Sequence, residues 1–285
     1  MSAYIIFSLI FFSQVLLLSW YLPRRIMARL RYVLDNYPAS EYPKLYQSDQ
    51  AKAERSYNYL VWFSRTMFVI GMGILVWINL RGELIDGGIA AAIAFVYGML
   101  QSAPIIIMDF ATLRHYKSLR EEDERPKRSA ELIPRSIFIH TTPMRLSVVA
   151  LFYIVAVTFD MYTKGFDTGL GGELYEALII LFLANLFFAG MVYWRVYGKK
   201  LNPYLDAKDN KREIDVMVSS AIFTSIAVSI FFIAMRAINV YDLEHFEGVL
   251  MSLYLQAIMG YTMLYSVSLF DVKTMNFEPF RVTVD

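Results

Sequence analysis

Apolar residues in this chain come in blocks, not in alternating stripes. Seven blocks, roughly 3–21, 60–80, 87–109, 146–162, 175–195, 216–238 and 248–270, are nearly free of charge. A helix rises ~1.5 Å per residue, so about 20 residues cross a ~30 Å hydrocarbon core. The pattern predicts an all-α polytopic membrane bundle of seven transmembrane helices, one lone helix and three hairpins, forming a single domain over 1–285. The first block lacks the basic start of a signal peptide. Pro23-Arg24-Arg25 follows it where a small-residue cleavage site would stand, so it is expected to remain as a membrane helix.

Charge orients the bundle. The long connections fall at 22–59, 110–145 and 196–215, the short ones at 81–86, 163–174 and 239–247. If the long connections and the tail share a side, only Arg81, Lys164 and Arg236 of the 27 basic residues lie opposite. Lys and Arg gather on the cytoplasmic side. The expected threading therefore has the N-terminus outside and the C-terminus cytoplasmic, in a bacterial inner membrane.

The basic segments carry a pattern of their own. In "RRIMARLRYVLDNYP", Ile26, Met27, Leu30, Val33 and Leu34 share a helical face from which Arg24, Arg25, Arg29 and Arg31 largely point away. This predicts a short cytoplasmic amphipathic helix in the headgroup region, its arginines contacting anionic lipid. The charged run 118–135 reads as a solvated loop or helix.

Composition narrows the chemistry. The chain has no cysteine, which excludes disulfides, thiolate metal sites and cysteine nucleophiles. Its three histidines, His115, His140 and His245, are never three or four residues apart, so no zinc or haem ligation is readable. No phosphate loop or hydrolase motif is present. No cofactor or metal is expected. A net charge of +1 suggests no nucleic-acid partner. Membrane lipids, anionic at the cytoplasmic face, are the expected partners, along with a protein partner or a second copy.

Polar residues inside lipid are the remaining signal, because each must find a partner there. Gln14, Asn185, Ser225, Gln256 and Thr262 define a candidate mid-membrane polar layer, and all are neutral. In the third block Gly87, Ala91, Ala94, Gly98 and Ser102 form a small-residue seam that invites close helix approach. Pro104 ends it as a candidate kink, freeing the carbonyl near residue 100 for a neighbouring serine or glutamine. Folding the second block back on the third sets Arg65 level with Ser102, with Asp109 ~10 Å nearer the cytoplasm. Arg65, Gln101, Ser102 and Asp109 are therefore expected to form a polar cluster facing the cytoplasm. Tyr254, Tyr261 and Tyr265 share one face of the last block.

Three functions fit this pattern. The first is a non-enzymatic accessory, scaffold or assembly subunit acting through helix and lipid contacts. The second is a small-solute transporter or channel with a neutral polar path. The third is a lipid-binding membrane enzyme or receptor.

Overall fold

The computed structural model describes residues 3–46, 49–81, 86–121, 135–166, 173–269 and 272–281. Among them the chain is helical, with seven helical runs long and apolar enough to cross a membrane. The first run comprises α1 (Ala3–Val15), a π-helical stretch (Leu16–Tyr21) and α2 (Leu22–Asn36). The others are α3 (Gln50–Arg81), α4 (Gly87–Glu121), α5 (Pro143–Thr163), α6 (Glu173–Tyr197), α7 (Ala207–Val240) and α8 (Glu247–Leu269). The charged residues 122–134 lie outside the described residues.

The expected amphipathic helix after residue 21 forms as α2, but as a continuation of the first run. The first run continues without a turn, and Pro23 sits inside it. A proline has no N–H to donate, and its ring crowds the carbonyl four residues back. Here the preceding turns are wide: Leu22 donates to the carbonyl of Leu17, five residues back, in the π pattern. That widening gives Pro23 room. The apolar face of α2 then packs on α3 and on the turn Val272–Thr274, not on lipid alone.

Helix lengths divide the bundle. The first run has 33 residues from Tyr4 to Asn36, while α3, α4 and α7 have 32, 35 and 34; α5, α6 and α8 have 21, 25 and 23. A span needs about 20. The long helices therefore overshoot by roughly 12–15 residues, about 20 Å. At the overshooting end Tyr42, Leu119, Tyr204, Val272, Phe277 and Phe280 make a second apolar core. Tyr37 links two of its arms, its ring 4.2 Å from Phe277 and 5.1 Å from Tyr42. Burial, reinforced by Tyr32 and Tyr42, pushes the Tyr37 hydroxyl above its ordinary range. The C-terminal segment is pinned there by a hydrogen bond from the Asn276 amide to Asp209 Oδ2 at 3.3 Å.

Two of the three sequence hairpins, α3–α4 and α5–α6, are not packing units, whereas α7 and α8 do pack on each other. α4 packs most extensively on α8, while α5 and α6 each lie on α7 and barely meet. The small-residue seam explains the first pairing: Gly98 faces Leu255, and Ala90 lies against Gly248. α1, the lone helix, fills the centre of α3, α4 and α8, with Phe11 and Val15 fully buried. The tyrosine face of α8 joins the two halves: Tyr261 stacks on Phe223 at 3.9 Å and Tyr254 on Phe231 at 4.3 Å.

Candidate functional site

The expected mid-membrane layer divides into two separate groups. The first lies on α1, α4 and α8. Gln14, fully buried, donates to the Ala94 carbonyl (3.2 Å) and to Gln101 Oε1 (3.3 Å), and accepts from Ser252 (2.6 Å). Gln256 donates to the Ile10 carbonyl (3.0 Å) and accepts from Ser13 (2.9 Å). Gln101 donates to Ser19 at 2.7 Å, and Ser19 lies 3.2 Å from the Tyr97 hydroxyl. Tyr97 in turn donates to the Met67 carbonyl at 2.7 Å, which brings in α3. Each side-chain amide is used by another group in the bundle, so the network clamps the helices together. The π-helical stretch contributes Ser19, a join that the residue spacing of an ordinary α-helix would not reveal.

The second group is the Asn185–Ser225 pair between α6 and α7, in which the serine donates to Asn185 Oδ1. Asn185 also donates to the Leu181 carbonyl at 2.9 Å. Thr262 joins neither group. It donates to the Ile258 carbonyl of its own helix at 2.8 Å.

The expected cluster of Arg65, Gln101, Ser102 and Asp109 is not assembled: among the described residues no hydrogen bond or ion pair joins them. Gln101 turns to Gln14 and Ser19, while Ser102 donates to the Met99 carbonyl at 2.9 Å. The carbonyl freed by Pro104 belongs to residue 100, so this serine does not take it. Pro104 itself is buried inside a helix that runs on to Glu121. Asp109 is exposed. The depth argument assumed that α3 and α4 face each other. α4 turns its polar edge to α1 and α8 instead.

Arg65 lines a recess of about 670 Å³ between α2 and α3, together with Arg24 and Arg31. The Arg24 guanidinium lies 3.6 Å from the Trp20 ring centre, and Arg31 pairs with Asp35 at 3.1 Å. Arg25 donates to the Tyr21 hydroxyl at 3.3 Å and does not line the recess; nor does Arg29.

An apolar opening lies between α5 and α6, which barely meet. It is a cleft of about 580 Å³ with α7 as its floor. Val149, Tyr153, Phe182, Phe188 and Ile222 contribute to its walls, and the Asn185–Ser225 pair supplies its polar group. Its far end reaches Ile137, Tyr193 and Tyr197. Nearby stand two guanidinium groups and an imidazole: Arg135 donates to the Tyr197 carbonyl at 3.1 Å, buried Arg195 meets Glu213 at 2.5 Å, and His140 meets Asp215 at 2.7 Å. On the other flank, Leu151, Ile154, Ile180 and Leu183 are exposed, as residues facing lipid are.

At the opposite end of the bundle, two of the three cations on the poorly charged side are matched. Arg236 lies 3.5 Å and Lys164 3.6 Å from Asp160. Among the described residues no group of three His, Asp or Glu side chains converges as a metal site would require. No family model, no curated protein and no solved structure matches this chain.

Proposed function

We propose that this protein is an accessory or assembly subunit of a bacterial inner membrane, threaded with its overshooting basic end in the cytoplasm. Its working site is the α5–α6 cleft, which holds the apolar chain of one amphiphile. The observation that carries this reading is the slight contact of α5 with α6 over α7, which leaves an apolar opening of about 580 Å³. That volume falls in the range of ligand sites, as does an apolar lining with one oriented polar pair. The Arg135 guanidinium at the Tyr197 end suits an anionic head, so the amphiphile sits with its head toward the cytoplasmic leaflet. A polar path for solute finds less support. Gln14 and Gln256 are engaged within the first network, and Asn185 lies apart from them with Ser225.

Filling the cleft tests the reading. Ala189→Trp places a large ring where a small side chain now lines the wall. Native mass spectrometry of the variant should show loss of a lipid that the parent protein retains through purification. Equal retention by both would exclude the cleft as the site.

A further inference from the structure

The recess between α2 and α3 is a second and separate feature. Three guanidinium groups (Arg24, Arg31, Arg65) face it with one carboxylate, Asp35, leaving two positive charges in excess. They arrive from two helices, so their convergence is a property of the fold, not of one basic run. Two of them are held in place, Arg24 by the Trp20 ring and Arg31 by Asp35. Among the described residues Arg65 has no ion-pair or hydrogen-bond partner. Ser64, buried beside it on α3, likewise has no hydrogen bond there. Trp20, which lines the recess, is exposed, as are Tyr21, Tyr59 and Trp62 on the same stretches of helix. Aromatic side chains exposed in a band mark the level of lipid headgroups.

We propose that this recess binds a phosphate group, with Arg65 as the principal donor, Arg24 and Arg31 flanking it and the Ser64 hydroxyl completing the cradle. Guanidinium groups meet phosphate oxygens through paired charge-assisted hydrogen bonds, which fit a planar donor better than they fit an ammonium. The phosphate comes either from an anionic phospholipid seated at the headgroup level or from a soluble phosphate entering from the cytoplasm. The site shares no lining residue with the α5–α6 cleft. Its test is therefore independent of the reading above.

The experiment is a native mass spectrometry titration of the full chain in mild detergent. The probes are dioctanoyl phosphatidylglycerol, dioctanoyl phosphatidylcholine and inorganic phosphate. Arg65→Gln should weaken phosphatidylglycerol binding about tenfold, as expected for one charge-assisted donor. Arg65→Lys should recover only part of it. Arg55→Gln, on the same helix but outside the recess, should leave binding unchanged. Preference for phosphatidylglycerol without competition from inorganic phosphate assigns the lipid as the source. Competition by inorganic phosphate, lost in Arg65→Gln, assigns the soluble one. If Arg65→Gln does not fold, Arg24→Gln carries the same comparison. Binding of every probe unaltered in the Arg65 and Arg24 variants, or no binding by the parent protein, overturns the proposal.

Discussion

Gln14 and Ser252 stand on the first and last membrane helices, both fully buried and joined by a 2.6 Å hydrogen bond. Together with Gln101 and Gln256 they tie the lone first helix into the centre of the bundle. In hydrocarbon no water replaces a lost partner, and interhelical bonds of this kind contribute ~0.6–2 kcal/mol each. Gln14→Leu removes three such contacts and leaves Ser252 only the 3.3 Å bond from Gln256. The expected loss is about 2 kcal/mol, read as a fall in the thermal unfolding midpoint in detergent. An unchanged midpoint would mean the network is idle.

Two glycines should respond in opposite ways. A Cβ on Gly248 would come 2.5 Å from the Ala90 Cβ and 3.0 Å from its backbone, neither of which can move aside cheaply. A Cβ on Gly73 meets nothing within 4 Å. Gly248→Ala should separate α8 from α4 and destabilise by about 1–3 kcal/mol. Gly73→Ala should be neutral or slightly stabilising, since alanine is the better helix former. Parallel unfolding curves of the two variants check this, and equal effects would contradict the α4–α8 packing.

Buried Arg195, at the end of the fifth apolar block, and the partly buried Glu213 in the connection after it form an ion pair. Removing one partner leaves the other charge poorly solvated, a cost of about 2–4 kcal/mol here because Glu213 retains some exposure. Arg195→Met should therefore destabilise strongly, and Arg195→Met with Glu213→Leu should recover most of the loss. A double variant as unstable as the single one would show that the pair does more than neutralise itself.

The number of spans and the helical class were legible because uninterrupted apolar length is a one-dimensional property. Packing was not. Gln14 and Gln256 each announce a need for a partner, but only the fold brings together groups so far apart in sequence. Arg65 and Asp109 were paired on the assumption that consecutive helices face each other. The Gly98 seam instead directs α4 to α8, and Gln101 goes with it to Ser19. The helical extension through Pro23 was hidden because proline ordinarily marks a boundary, and nothing in the residues 16–21 announces a π turn. The aromatic core at the overshooting end draws Tyr37, Tyr204 and Phe277 from three distant segments, each unremarkable alone.

Everything rests on how the bundle is threaded, and the absence of cysteine makes that directly measurable without background. Single substitutions Glu41→Cys and Glu278→Cys mark the overshooting end, and Asp242→Cys the opposite one. In intact cells a thiol reagent that cannot cross the membrane should label the Asp242 variant alone, reaching the other two only after permeabilisation. Labelling of the Glu41 and Glu278 variants from outside, with the Asp242 variant protected, would reverse the threading and contradict the proposed placement of both lipid sites.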